Sequence, residues 1–192
     1  MARVYGIKKW LEENYIDQKL IKHIIGNQNL IEVITRMENT LDSDMMYHSL
    51  DSCACLGGKE YLKKCERIGK ELAGKSLNDK ILHLNSKILA SESITLNNDG
   101  TLTAVMVYKN NDMYSCVCSA AVSKGIKVSD LARSKNNPDE RNMPLSYCLC
   151  CAGSFRRHLQ IMLNIKLKTK IIISSPINSR GEKPCEFVFE LN

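Results

Sequence analysis

Apolar residues in the first part of the chain recur at intervals of three and four, which is the spacing of amphipathic α-helices. The positions on these apolar faces are Ile7, Trp10, Leu11, Leu20, Ile21, Ile24, Ile25, Leu30, Ile31, Ile34 and Met37. Gly26 follows the second group in the way that a helix-ending glycine does. Residues 39–52 are polar and show no clear period, so we predict an irregular segment there.

Two further helices are expected before the hydrophobic pattern changes at residues 97–100. Residues 61–72 carry an apolar stripe that stops at Gly74. Ser76 and Asp79 then have the spacing of a capping box, which predicts the start of a helix that continues to Leu89.

The pattern changes at the Asn-Asn-Asp-Gly sequence of residues 97–100, which is typical of a turn. Residues 101–119 are rich in side chains that suit a pleated sheet and are interrupted by a second turn. We therefore predict a β-hairpin over these residues. The polar, proline-bearing stretch 123–146 predicts an excursion over the surface.

The end of the chain predicts one helix and two strands. The helix is expected to begin at Cys150 or Cys151 and to run through Leu163. Two β-rich segments follow, at 166–175 and 185–192. Several helices followed by four or more strands are typical of an α+β fold. We therefore predict N-terminal helices packed on a small antiparallel sheet, with one long helix across it.

Composition places the chain among ordinary globular proteins. It has 192 residues, of which 44% are hydrophobic and 25% are charged. The pattern divides it into a helical region, 1–96, and a cysteine-rich α+β domain, 97–192, unless the two form one continuous domain. No stretch approaches the roughly 20 apolar residues of a transmembrane helix. The N-terminus also lacks the apolar segment of a secretory signal, so we expect a cytoplasmic location and no membrane partner.

The charge pattern bears on the partners. The net charge of +6 is modest, and basic residues are spread along the chain with an excess near the C-terminus. No aromatic residues that could stack on bases are interleaved with that basic region. A nucleic acid is therefore the least favoured partner class.

The nine cysteines carry the candidate chemistry. In a reducing compartment they favour metal binding, redox chemistry or core packing over disulfides. Cys116 and Cys118 lie two apart in a predicted strand, so their thiols would share one face. Cys148, Cys150 and Cys151 lie near a predicted helix start, where the helix dipole favours the thiolate that binds metals.

These thiols predict a zinc site, because structural zinc takes four nitrogen or sulfur ligands. The first-choice ligands are Cys116, Cys118, Cys148 and Cys150, followed by Cys151 and by Cys185 at the start of the last strand. An iron–sulfur cluster would also use four thiolates, but its motifs carry C-x-x-C runs that this chain lacks. Reduced cysteines packed in the core are the remaining alternative.

Two other features complete the candidate site. Cys53 and Cys55 lie in a glycine-bearing loop and predict either extra metal ligands or a redox pair. A ligand pocket is expected between the last helix and the sheet. Its predicted lining residues are Met106, Tyr114, Phe155, Leu159 and His158.

The order of features after residue 147 resembles the closing module of the 4-vinyl reductase-type domain. Cys148 and Gly153 precede an amphipathic helix and a strand, and Cys185 precedes a final strand. Together with the strand that holds Tyr114, the C-terminal half also resembles uncharacterised bacterial cysteine-rich proteins related to amino-thiazoline-carboxylate hydrolase-like sequences. The resemblance implies zinc beside a pocket for a small, often hydrophobic, molecule.

One departure from that family pattern bears on the ligands. Several members carry Glu and Cys at the end of the penultimate strand, where this chain has Ser174 and Ser175. If zinc binds here, other cysteines must replace those ligands.

The leading functional hypothesis is a cytosolic domain that binds or senses a small hydrophobic or anionic molecule and holds a structural zinc. A homodimer is left open. The main alternative is an enzyme, either a hydrolase or a thiol-redox protein, that uses a reactive cysteine or a metal-bound water. A nucleic-acid-binding zinc module is the third hypothesis.

Overall fold

The computed structural model describes residues 2–27, 29–55, 57–89, 91–110, 112–116, 143–179 and 181–192. This part of the chain contains seven α-helices and six β-strands. The helices are α1 (Ala2–Glu13), α2 (Gln18–Ile25), α3 (Leu30–Thr40), α4 (Ser43–Ser52), α5 (Lys59–Glu71), α6 (Leu77–Lys87) and α7 (Leu149–Leu163). The strands are β1 (Glu92–Leu96), β2 (Leu102–Met106), β3 (Lys109–Asn110), β4 (Met113–Tyr114), β5 (Leu167–Ser174) and β6 (Cys185–Leu191).

Local sequence signals start and stop several of these helices. Helix α2 ends at Gly26, whose φ of 46° is readily adopted by glycine. The Ser76 hydroxyl accepts the Asp79 backbone N–H at 3.2 Å and donates to the Asp79 carboxylate at 2.7 Å. The predicted helix end and the predicted capping pair at these positions are both confirmed.

The prediction of an irregular segment over residues 39–52 is wrong, because α4 occupies most of it. The Asp42 carboxylate caps this helix by accepting the Met45 backbone N–H at 2.7 Å. Met46 and Leu50, one helical turn apart, form its buried apolar contact. Serine and aspartate at most other positions hide this short apolar repeat in the sequence.

The main sheet has four antiparallel strands in the order β1-β2-β6-β5. Strand β2 pairs with β1 from Glu92 opposite Met106 to Leu96 opposite Leu102. Its other edge pairs with β6, and Met106 lies opposite Cys185 there. The two predicted C-terminal strands are confirmed as the antiparallel pair β5 and β6.

The predicted hairpin over residues 101–119 is wrong in its pairing. The partner of β2 in that hairpin is replaced by β1, which the sequence did not predict. Met113 and Tyr114 form only a two-residue strand that pairs with β3. Cys116 lies beyond that strand, and residues 117–119 lie outside the described residues. Strand β1 buries only Ile94 among its five residues, so its sequence shows little apolar alternation.

Helix α7 lies across the sheet, which confirms the predicted α+β architecture. It packs on β5 and also contacts α4 and α5. A Cβ atom on Gly69 of α5 would collide with the Ile161 carbonyl oxygen, so this glycine allows the two helices to approach closely. At the C-terminal end of α7, the buried Lys80 ammonium donates to the Leu163 carbonyl at 2.6 Å.

One apolar core draws residues from both predicted regions. Ile34 of α3, Leu84 of α6 and Phe187 of β6 are among its fully buried members. The predicted boundary between residues 96 and 97 falls in the turn that joins β1 to β2. None of the helices in the described part of the chain has both the length and the apolar character needed to cross a membrane.

Candidate functional site

A pocket of about 240 Å³ opens between α5, α7 and the strand β1. Its walls are formed by Tyr61, Lys64, Cys65, Ile68, Ile88, Leu89, Ser91, Glu92, Tyr108 and Met162. The aliphatic and thioether side chains among them supply an apolar surface. Two tyrosines, a thiol and a carboxylate supply polar groups that converge on the same space.

One polar contact in this pocket joins two residues from opposite sides of the β1–β2 hairpin. The Tyr108 hydroxyl donates a hydrogen bond to Oε1 of Glu92. The backbone holds Tyr108 on both sides, because the Val107 N–H donates to the Ser91 carbonyl at 2.6 Å. The Ser115 N–H also donates to the Tyr108 carbonyl at 2.7 Å. The hydroxyl and the carboxylate are therefore positioned by the hairpin.

The pKa values of two tyrosines and one thiol in the pocket are raised. Partial burial raises the pKa of Tyr61 from 10.0 to about 12, with added contributions from the charges of Cys65 and Glu92, and the Tyr61 side chain remains 42% exposed. Burial also raises the pKa of Tyr108, and the hydrogen bond and charge of Glu92 act in the same direction. For Cys65, burial raises the thiol pKa, against an opposing hydrogen bond from Tyr61.

The protonation of these groups bears on the chemistry of the pocket. A cysteine nucleophile acts as the thiolate, which a low pKa favours. The pKa of Cys65 changes in the other direction, so this thiol is a neutral polar group in an apolar wall. A raised pKa does not favour nucleophilic attack by Cys65.

A second cleft, of about 610 Å³ and more open to solvent, lies on the side of α4. It is lined by Trp10, Asn14, Ile16, Asp42, Asp44, Met45, His48, Asp51, Ser52 and Arg157. Its inner end is formed by an ion cluster that joins α4 to α7, which we call the Asp51 clamp and which consists of Asp51, Arg156 and Arg157.

In the Asp51 clamp, the Asp51 carboxylate accepts three hydrogen bonds from the two arginines. Arg156 Nη2 donates to Oδ1 and Oδ2 of Asp51 at 3.0 and 2.9 Å. Arg157 Nη2 donates to Oδ2 at 3.0 Å and to the Asp51 carbonyl at 2.9 Å. The side chains of Arg156, Arg157 and Asp51 are 12%, 27% and 14% exposed, respectively. Gly153 is required here, since a Cβ atom on it would collide with the Asp51 carboxylate.

The structure places the predicted zinc ligands in different settings. Cys116, Cys148, Cys150 and Cys185 are buried, and Cys151 is partly buried. The Cys150 thiol donates to the Tyr147 carbonyl at 3.3 Å. Cys118 lies outside the described residues, so the first-choice ligand set is incomplete here.

Within the described ranges, no three His, Cys, Asp or Glu side chains form a group that could hold a metal ion. The described cysteines therefore do not by themselves build the predicted site. Zinc and the alternative iron–sulfur cluster stay predictions. Elemental analysis of protein purified without chelator tests them, and about one zinc per chain with about four masked thiols is the result that the zinc prediction requires.

The predicted pocket residues are not among those that line the observed pocket. Phe155 and Leu159 are buried in the core. Met106 lies in β2, and Tyr114 lies in β4 with the Lys109 ammonium 5.0 Å from its ring centre. His158 contacts the pocket residue Tyr61, because the two rings meet edge-on with their centres 4.8 Å apart.

The two loop cysteines lie at the end of α4 and beyond it. Cys53 follows the last residue of α4 and is partly buried near Gly6, whereas Cys55 is exposed. The prediction that they act as extra ligands or as a redox pair stays a prediction.

Sequence reasoning did not identify the residues of the pocket. Tyr61 and Cys65 are one helical turn apart in the predicted apolar stripe of α5, which was a detectable signal for a shared face. Glu92 and Tyr108 are 16 positions apart and meet only through the β1–β2 hairpin. Because β1 was not predicted, no local signal could bring them together.

Comparison of the chain with protein-family models finds no family that matches. Comparisons with curated proteins and with solved structures also find no match. The resemblance of the C-terminal half to the 4-vinyl reductase-type domain therefore stays a prediction.

Proposed function

We propose that the protein is a small-molecule-binding domain whose ligand occupies the pocket between α5, α7 and β1. The observation that carries this proposal is the combination of an apolar wall with a few converging polar groups of shifted pKa. This combination is typical of ligand sites. The volume of about 240 Å³ is slightly below the usual range of about 300–1,000 Å³, so the ligand is small.

Two groups of lining residues would contribute to binding in different ways. Ile68, Ile88, Leu89 and Met162 would remove the apolar part of a ligand from water, which contributes about 25 cal/mol for each Å² buried. The Tyr61 and Tyr108 hydroxyls stay neutral at physiological pH and can orient polar groups of the ligand. This division supports recognition by shape and by hydrogen bonds.

The position of the pocket supports a sensing role. Its walls come from two helices and from the first hairpin of the sheet, so a bound molecule would contact all three at once. A ligand that binds only this folded arrangement stabilises it by mass action. A cytoplasmic location remains part of the proposal.

Ligand-induced thermal stabilisation, measured with a library of small ring-bearing fragments, tests the proposal. A fragment present at ten times its Kd should raise the unfolding free energy by about 1.4 kcal/mol. Leu89→Trp fills the pocket and should abolish the effect. Leu82→Trp places the same side chain at a position that is 68% exposed on α6 and should leave the effect intact.

Ser91→Phe fills the same pocket from the other side and replaces Leu89→Trp if that variant does not fold. Circular dichroism checks the fold of each variant. Equal stabilisation of wild-type and pocket-filled protein would place the fragments elsewhere and would contradict the proposal.

A further inference from the structure

Glu92 is the fixed charge in the wall of the pocket. It is partly buried, and its Oε1 atom accepts the hydrogen bond from Tyr108. Its other oxygen, Oε2, accepts no hydrogen bond from the residues that the structure describes. The carboxylate is thus held in place by one contact and retains an open acceptor.

No protein cation neutralises this carboxylate within the described ranges. Lys64 is the one basic residue that lines the pocket, but it is exposed on α5 and forms no salt bridge with Glu92 there. Both charges reach the pocket, because Lys64 contributes to lowering the pKa of Cys65 and Glu92 contributes to raising the pKa of Tyr61.

The other groups of the pocket are suited to a cation with an apolar body. The aromatic rings of Tyr61 and Tyr108 carry electron-rich faces that attract cations. Below them lies an aliphatic and thioether surface that includes Ile68, Leu89 and Met162. A buried carboxylate is most favourable when it is paired and hydrogen-bonded.

We infer that the pocket binds a small apolar amine in its protonated form, whose ammonium donates to Glu92 Oε2 while its apolar body packs against Ile68, Leu89 and Met162. This inference rests on the proposed function and adds the chemical class of the ligand. It differs from the sequence-based expectation of a hydrophobic or anionic molecule in the sign of the charge.

Three probes of matched shape test the inference by titration, with backbone amide chemical shifts as the readout. Benzylamine, benzyl alcohol and benzoate present the same ring with a cationic, a neutral and an anionic group. Benzylamine should bind about tenfold more tightly than benzyl alcohol, as expected for one charge-assisted hydrogen bond. Benzoate should bind most weakly.

Two variants assign the preference to the carboxylate. Glu92→Gln should reduce benzylamine affinity to that of benzyl alcohol, whereas Glu66→Gln, the same change at an exposed position on α5, should leave the affinity unchanged. Tyr108→Phe removes the hydrogen bond that holds Glu92 and should weaken benzylamine binding more than benzyl alcohol binding. It also serves if Glu92→Gln does not fold.

The outcomes separate this inference from the proposed function. If the three probes bind the pocket with equal affinity, or if benzoate binds most tightly, the amine inference is overturned and the binding pocket stands. If no probe changes the shifts of the pocket residues, the proposed function fails and the inference fails with it.

Discussion

Two partly buried carboxylates, those of Asp51 and Glu92, differ in the number of hydrogen bonds that they accept. In the Asp51 clamp, two guanidinium groups donate three hydrogen bonds to one carboxylate and a fourth to its carbonyl. In the pocket, Glu92 accepts a single hydrogen bond, from the Tyr108 hydroxyl. The saturated carboxylate leaves little capacity for a ligand and joins two helices. The carboxylate of Glu92 lines the apolar pocket and accepts one hydrogen bond, which supports the proposed role in binding.

The largest effect should come from breaking the Asp51 clamp. Asp51→Ala leaves two largely buried guanidinium groups without their partner, and we expect a loss of about 3 kcal/mol in the free energy of unfolding. Urea denaturation measures this loss. Asp112→Ala, at an exposed turn position, is the matched control and should change stability by less than about 0.5 kcal/mol. A loss below about 1 kcal/mol for Asp51→Ala would mean that the clamp is not structural.

Gly153→Ala should destabilise the same clamp by steric conflict. The added Cβ atom would meet the Asp51 carboxylate, and forced displacement in a packed interface costs about 1–3 kcal/mol. Gly58→Ala is the control, because a Cβ atom there has no neighbour within 4 Å. Denaturation of the two variants side by side should show a clearly larger loss at position 153, and equal losses would refute close packing at Asp51.

The pH dependence of the unfolding free energy tests the environment of Tyr61 in the pocket. The pKa of Tyr61 is raised from 10.0 to about 12 on folding, so the unfolded chain releases the phenol proton first. Stability from this group is complete below pH 10 and falls as the pH rises from 10 towards 12. Tyr61→Phe should therefore lose less stability than wild type over that window.

Tyr15→Phe is the control for this titration, since Tyr15 is 96% exposed. It should follow the wild-type curve. Unfolding midpoints in urea at pH 9 and at pH 10.5 suffice for the comparison. Identical slopes in all three proteins would show that the Tyr61 hydroxyl is not desolvated on folding.

The smallest effect on stability should come from Glu92→Gln. The amide oxygen can still accept the hydrogen bond from Tyr108, and no buried cation loses a partner in the part of the chain that the structure describes. We expect a change below about 1 kcal/mol in urea denaturation. A loss as large as that of Asp51→Ala would make Glu92 a structural residue and would remove the distinction between the two carboxylates.

The sequence predicted the elements whose signals are local. Gly26 and the Ser76–Asp79 pair mark helix ends through their own backbone and side chains. The last two strands and α7 follow from long apolar patterns. Strand β1 was missed because it buries only Ile94, and helix α4 was missed because serine and aspartate at most of its other positions hide its apolar repeat.

The candidate site was less predictable because its contacts are long-range. Glu92 meets Tyr108 only after β1 pairs with β2, and Asp51 meets Arg156 across 105 positions of sequence. The number and spacing of the cysteines predicted a metal site. Within the described ranges they form no group of three or more potential metal ligands. Cys118, one of the first-choice ligands, lies outside those ranges.

A crystal structure of the protein soaked with small ring-bearing fragments tests the central claim most directly. The account predicts fragment density between α5, α7 and β1, in contact with Glu92 and Tyr108. Fragments bound only in the open cleft lined by Trp10 and Asp44, or only at lattice contacts, would contradict it.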